Sequence, residues 1–174
     1  MIANAADNGS LVSAARDCRG AAAMTDELVF MMGNFRAVFP ADRRYAANHM
    51  WARPEGGGAV RFGLSAYAVR LLQEVYFLEW GMDAGATVRE KDEIGAIESA
   101  KANAALYAPI AGTINRFNAA AMADPSIINK DGYGDGWLFE MTGDASGTMD
   151  APGYVAYLEA SWAKAQALLK GQLK

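Results

Sequence analysis

Gly95-Ala96-Ile97-Glu98-Ser99-Ala100-Lys101-Ala102-Asn103-Ala104-Ala105-Leu106-Tyr107-Ala108-Pro109 is the stretch on which the reading of this chain turns. Two runs with β character, Glu93–Ser99 and Ala105–Ala108, flank Ala100-Lys101 and place Lys101 near the tip of a hairpin. Ser99, Ala100 and Ala102 are small, so a modifying enzyme has room to approach and an attached arm has room to swing. An exposed amine on a rigid bend suits acylation, because the nucleophile must reach into another protein's active site. Once acylated, the lysine loses its charge and becomes a neutral amide tether. Taken alone, a lysine in a turn is most often merely solvated; the surrounding sequence has to decide.

Outward from the hairpin, most of the chain from Leu28 on reads as short strands punctuated by Gly, Asn or Pro. The expected strands are Val29–Met32, Phe35–Phe39, Met50–Arg53, Ala59–Leu64, Val75–Trp80, Glu93–Ser99, Ala105–Ala108, Gly112–Phe117 and Trp137–Met141. Pro54-Glu55-Gly56-Gly57-Gly58 reads as a hairpin turn, since glycine supplies the positive φ that tight turns demand. Ser65 is placed to cap a short helix over Ala66–Leu72. Tyr154, Tyr157, Leu158, Ser161, Trp162, Ala165, Leu168 and Leu169 recur at three- and four-residue spacing, which predicts a long C-terminal helix at about 151–170. Asp150 is its expected cap, with Pro152 in the first turn and Gly171 near the end. The fold class is therefore mainly β (α+β), a sandwich or flattened barrel with helical trim.

Composition narrows the function. The 174 residues suffice for one domain with its own core, and a formal charge of −4 without a Lys/Arg cluster argues against nucleic acid. No segment approaches the roughly 20 apolar residues of a membrane helix. Cys18 and His49 stand alone, which excludes an internal disulfide and a cysteine- or histidine-rich metal site and disfavours a catalytic triad. GxGxxG and GxxxxGK[ST] are both missing, so no nucleotide site is indicated. A cytoplasmic protein fits these features. Residues 1–23, rich in Ala, Asn, Ser and Gly, read as a disordered tail or as residues upstream of a true start at Met24, leaving 24–174 as a single domain.

Glu98-Ser99-Ala100-Lys101-Ala102, followed by Leu106-Tyr107-Ala108-Pro109-Ile110-Ala111-Gly112-Thr113-Ile114, resembles the lipoyl-lysine hairpin of the glycine cleavage system H protein family. His49-Met50-Trp51 resembles that family's His-x-Trp, and Phe62-Gly63-Leu64-Ser65-Ala66-Tyr67-Ala68 its Gly-hydrophobic-Thr-x-Tyr-Ala element. Val75-Tyr76-Phe77-Leu78-Glu79 with Gly85, Ile127-Ile128-Asn129, and Tyr133-Gly134-Asp135-Gly136-Trp137-Leu138 are similar to later elements, so the likeness runs from Tyr45 to Leu158. A biotin carrier fits worse, because its lysine usually lies between two methionines and Lys101 lies between alanines.

The resemblance implies a lipoyl-domain-like β sandwich of the H-protein type and a non-catalytic carrier. It implies lipoate on Lys101, with Glu98, Ser99 and Ala100 forming the recognition hairpin, and a lipoate ligase or lipoyltransferase as modifying partner. The dithiolane would supply the redox-active sulfurs. Family members shelter an aminomethyl cargo with two acids, one inside His-x-Trp and one four residues after the lysine. Here those positions are Met50 and Ala105, and the position before the histidine is Asn48. An ammonium gains about 1.5–3 kcal/mol from each charge-assisted hydrogen bond, so this cleft of Asn48, His49, Met50 and Ala105 should hold that cargo weakly unless Glu74, Glu79 or Glu98 compensates.

Leu72-Gln73-Glu74 where the family has Leu-Gly-Asp, Trp80 where it has Pro, and a longer lead-in over Leu28–Arg44 point the same way. They resemble H-protein-like lipoate-binding proteins of sulfur oxidation, whose partner is a heterodisulfide reductase-like complex. The sequence reading favours a sulfur intermediate, a softer cargo suited to Met50. The alternatives are the glycine cleavage carrier, served by the decarboxylase, the aminomethyltransferase and dihydrolipoamide dehydrogenase, and an unlipoylated interaction domain. His49 suits either the arm or a fold-fixing hydrogen bond. Trp51, Trp80, Trp137 and Trp162 read as packing, and Arg43-Arg44 as a solvated pair.

Overall fold

The computed structural model describes residues 27–172, with side chains through 164. The stretch 1–23 and the side chains of Ala165, Leu168 and Leu169 lie outside what is described.

The strands are β1 (Glu27–Met32), β2 (Phe35–Pro40), β3 (Arg44–Tyr45), β4 (Met50–Gly56), β5 (Ala59–Leu64), β6 (Val75–Trp80), β7 (Thr87–Val88), β8 (Glu93–Ser99), β9 (Asn103–Tyr107), β10 (Gly112–Phe117) and β11 (Phe139–Gly143). The helices are α1 (Ala66–Leu72), α2 (Ala119–Ala123), α3 (Ile127–Lys130) and α4 (Ala151–Gln172). A six-stranded sheet runs β3-β4-β5-β11-β10-β7, a three-stranded sheet runs β6-β8-β9, and β1-β2 form a separate hairpin. The larger two sheets close over one core, the sandwich expected from the strand count.

Alternation explains which side chains enter that core. Met50 and Ala52 of β4, Val60, Phe62 and Leu64 of β5, and Phe139 and Met141 of β11 meet Val75, Leu78, Ile97 and Leu106 of the smaller sheet. The intervening residues face outward, where Arg61, Glu140 and Arg116 are successive partners across β5, β11 and β10. Glu140 binds both guanidiniums, which also lie over the Trp137 ring at 4.6 and 5.0 Å.

A second apolar cluster covers the outer face near β3 and β4. Trp51 and Tyr45 there meet Phe30, Ala37 and Phe39 of the β1–β2 hairpin and Tyr154 and Leu158 of α4. Trp51 lies so close to Gly63 that a Cβ on that glycine would come within 2.6 Å of the indole. The indole N–H donates to the Gly132 carbonyl at 2.8 Å. The start of β4 is thus buried on both faces. Asp150 caps α4 as expected, accepting from the Gly153 N–H at 2.8 Å.

Candidate functional site

Lys101 sits at the tip of the β8–β9 hairpin, exposed, with Ile97 paired to Ala104 and Glu98 to Asn103 on the strands below it. Ser99 closes the bend. Its N–H donates to the Ala102 carbonyl at 3.0 Å, its Oγ donates to the same oxygen at 2.7 Å, and that Oγ accepts from the Ala102 N–H at 3.1 Å. The Ala100 N–H donates to the Glu74 carbonyl at 2.8 Å, tying the tip to the corner between α1 and β6. The lysine therefore stands on a stiff base with only alanine beside it, which fits a long acyl arm. Glu98 is half-buried and stands in a cross-strand row with Phe77 and Asn103.

Beside this base opens a cleft of about 660 Å³ lined by Ala100, Gln73, Glu74, Val69, Ile128 and Phe35, among others. Gln73 follows α1 with φ 65° and ψ −109°, a backbone state in which glycine is the default. Gln73, Phe35 and Arg70, whose guanidinium lies 4.6 Å over the Phe35 ring, are site features the sequence reading did not select. The signal was available for Gln73, which stands where the resembled pattern has glycine.

The four residues expected to form a cargo cleft are only partly brought together. The Asn48 side-chain N–H donates to the Tyr107 carbonyl at 3.0 Å, which sets Asn48 beside β9 two residues from Ala105. His49 adopts φ 67°, and its Nδ1 lies 3.0 Å from the Tyr154 hydroxyl, itself 3.0 Å from Ser65 Oγ. Burial pushes the imidazole below its usual value. His49 thus joins α4 to the start of α1, the fold-fixing option.

Met50 corrects the expectation. It is 2% exposed and packs in the core, so it lines no open cleft. Ala105 faces outward in a row with Ala96 and Glu79, so the nearest acid along that row is Glu79, two strands away. None of Asn48, His49, Met50 or Ala105 lines the 660 Å³ cleft.

A β sandwich that presents one lysine on a locked hairpin, among small neighbours, defines the lipoyl-domain class of carrier. Comparison with known proteins refines this. The family model "Glycine cleavage H-protein" matches residues 43–158. A glycine cleavage system H protein from Pseudoalteromonas atlantica is 44% identical over 124 residues, covering 69% of this chain and 95% of that protein. One from Chromobacterium violaceum is 37% identical over 119 residues, covering 66% and 92%. A crystal structure of such a protein from Mycobacterium marinum superimposes with TM-score 0.62 at 34% identity, covering 70% of this chain and 99% of that one.

The chain belongs to the glycine cleavage H-protein family. Its cofactor is lipoate, held covalently on a lysine, and it is a carrier component without catalysis of its own. Among the described residues no helix is long and apolar enough to cross a membrane. The β1–β2 hairpin lies outside the matched region.

Proposed function

We propose that Lys101 is the lipoyl attachment site and that the chain is the carrier of a glycine cleavage system in the cytoplasm. The observation that carries this reading is the locked, exposed hairpin tip inside the matched region. Once attached, the dithiolane supplies two sulfurs that take up cargo or electrons. The chain's own work is positional: Ser99 and the Glu74 carbonyl hold the base of the arm, and Glu98 marks the hairpin for a lipoate ligase or lipoyltransferase.

The sequence-based preference for a sulfur cargo and a heterodisulfide reductase-like partner gives way here. The relatives reported above are named for glycine cleavage, which favours the decarboxylase, aminomethyltransferase and dihydrolipoamide dehydrogenase as partners. Glu79 supports the change, because its carboxylate shares the outward face with Ala105 across two strand spacings of about 4.8 Å each. It offers a cationic cargo an acid that Met50 and Ala105 do not.

Incubating the lipoylated protein with glycine and the decarboxylase tests the reading by mass. Aminomethyl loading is the expected result. Failure to load, with stable loading by sulfane sulfur instead, would overturn it.

A further inference from the structure

We propose that the outer edge of β1 is a self-association site, where a second copy of this chain adds its own β1 in an antiparallel register centred on Val29. The edge belongs to the hairpin ahead of the matched region, so the inference stands whether or not Lys101 is the attachment site.

The hairpin's own hydrogen bonding decides which backbone groups are left over. Gly33 and Asn34 form a two-residue turn closed by the Met32–Phe35 pair. Opposed residues of an antiparallel ladder alternate between bonded and non-bonded pairs. Counted back from the closing pair, Phe30–Ala37 and Leu28–Phe39 exchange bonds, whereas Glu27, Val29 and Met31 turn their N–H and C=O groups away from β2. Among the described residues no second strand pairs with β1.

The sequence leaves that edge unguarded. Sheet edges are commonly protected by lysine, proline or a bulge. β1 contains neither Lys nor Pro, and its register with β2 runs unbroken from Glu27 to Met32. Val29 and Met31 are 37% and 49% exposed on the outer face. The inner face is anchored, with Phe30 buried edge-on against Tyr67 and Trp162, so the edge is held in place before any partner arrives.

Symmetry and charge select a second copy. With a two-fold axis at Val29, that residue meets its own counterpart, and Glu27 of each copy meets Met31 of the other. Every outward N–H and C=O of the three residues then finds a partner, whereas a shift of two residues leaves a pair unmatched. The same register sets Glu27 beside a methionine whose β2 neighbour is Arg36. An exposed acid and an exposed guanidinium therefore flank one methionine across two strand spacings of about 4.8 Å each, on both sides of the axis. An edge of six residues is only about 20 Å long, short of what a standard interface of roughly 1,600 Å² needs, so the pairing is weak and concentration-dependent.

Sedimentation of the full-length chain from micromolar to millimolar concentration tests this, with hydrogen exchange at Val29 and Met31 measured alongside. The mass is expected to rise towards twice 18.5 kDa. Exchange at both amides should become about tenfold slower once roughly one molecule in ten remains unpaired. Val29→Lys, which guards the edge and leaves the β2 ladder intact, should keep the chain monomeric. Glu27→Arg should weaken pairing, and Glu27→Arg with Arg36→Glu should restore it, which separates lost pairing from lost folding. A chain that stays monomeric at millimolar concentration overturns the proposal, as does a dimer indifferent to Val29→Lys. Equal protection of the two amides at every concentration places this chain's own residues over the edge and overturns it too. Failure of the charge exchange to restore pairing overturns the register centred on Val29.

Discussion

Ser99 and Ala102 close the bend under Lys101 through a single hydroxyl, which donates to one backbone group of Ala102 and accepts from the other. Ser99 is 4% exposed, so neither bond has water as a ready substitute. Position and stiffness of the hairpin tip that carries Lys101 thus come from Ser99, two residues away.

Ser99→Ala is expected to lower stability by about 1–2 kcal/mol, the usual cost of unpairing buried polar groups. Hydrogen exchange at Ala102 should rise and lipoylation in vitro should slow. Chemical denaturation, exchange and a timed ligase assay check these outcomes, with unchanged exchange as the contrary result.

Gln73→Gly should do the opposite to stability. Relief of the positive φ is expected to raise it by about 1 kcal/mol, or roughly 2–4 °C in Tm for a domain of this size. A drop in Tm would show that the Gln73 side chain holds more packing than strain.

Glu140 gives an acid-side signature. Hydrogen bonds from Arg116 and Arg61 bring its pKa down from 4.5 to about 2, so the folded state resists its protonation. The resulting stability is fully present above pH 4.5 and is lost as pH falls through about 2. Glu140→Gln should be destabilised at pH 7, with the gap to the parent closing across that window in pH-dependent unfolding.

His49, the single histidine, titrates in a separate window. Burial lowers its pKa, so the neutral ring is favoured in the fold, and its contribution is complete above pH 6.5 and lost as pH falls through the lower folded value. Proton NMR should show a midpoint below 6.5, and a midpoint above it would contradict the buried contact with Tyr154.

The elements that punctuation defines were legible in the sequence. Ala59–Leu64, Ala66–Leu72, Val75–Trp80, Glu93–Ser99 and Gly112–Phe117 stand where the pattern of caps, glycines and apolar runs placed them. β3 and β7 are two residues each and exist through pairing with β4 and β10, which no local pattern reveals. α2 was readable in principle, since Asn118 caps a run of alanines and accepts from the Ala120 N–H.

Met50 was misplaced because its position was taken from the resembled family, whose residue there is an acid that meets cargo. Here Met50 faces the main core while Trp51 is covered by the β1–β2 hairpin and α4, a burial that depends on segments far along the chain. Gln73 stands where the resembled pattern has glycine, which signals its positive φ, whereas the cleft it faces is a property of the folded corner.

Intact mass and peptide mapping of the protein from its own cell tests the central claim most directly. Lys91, also exposed in a turn, is the natural control. The account predicts one lipoyl increment on the peptide containing Lys101, lost in Lys101→Arg and kept in Lys91→Arg. An unmodified Lys101, or an increment that survives its replacement, would contradict it.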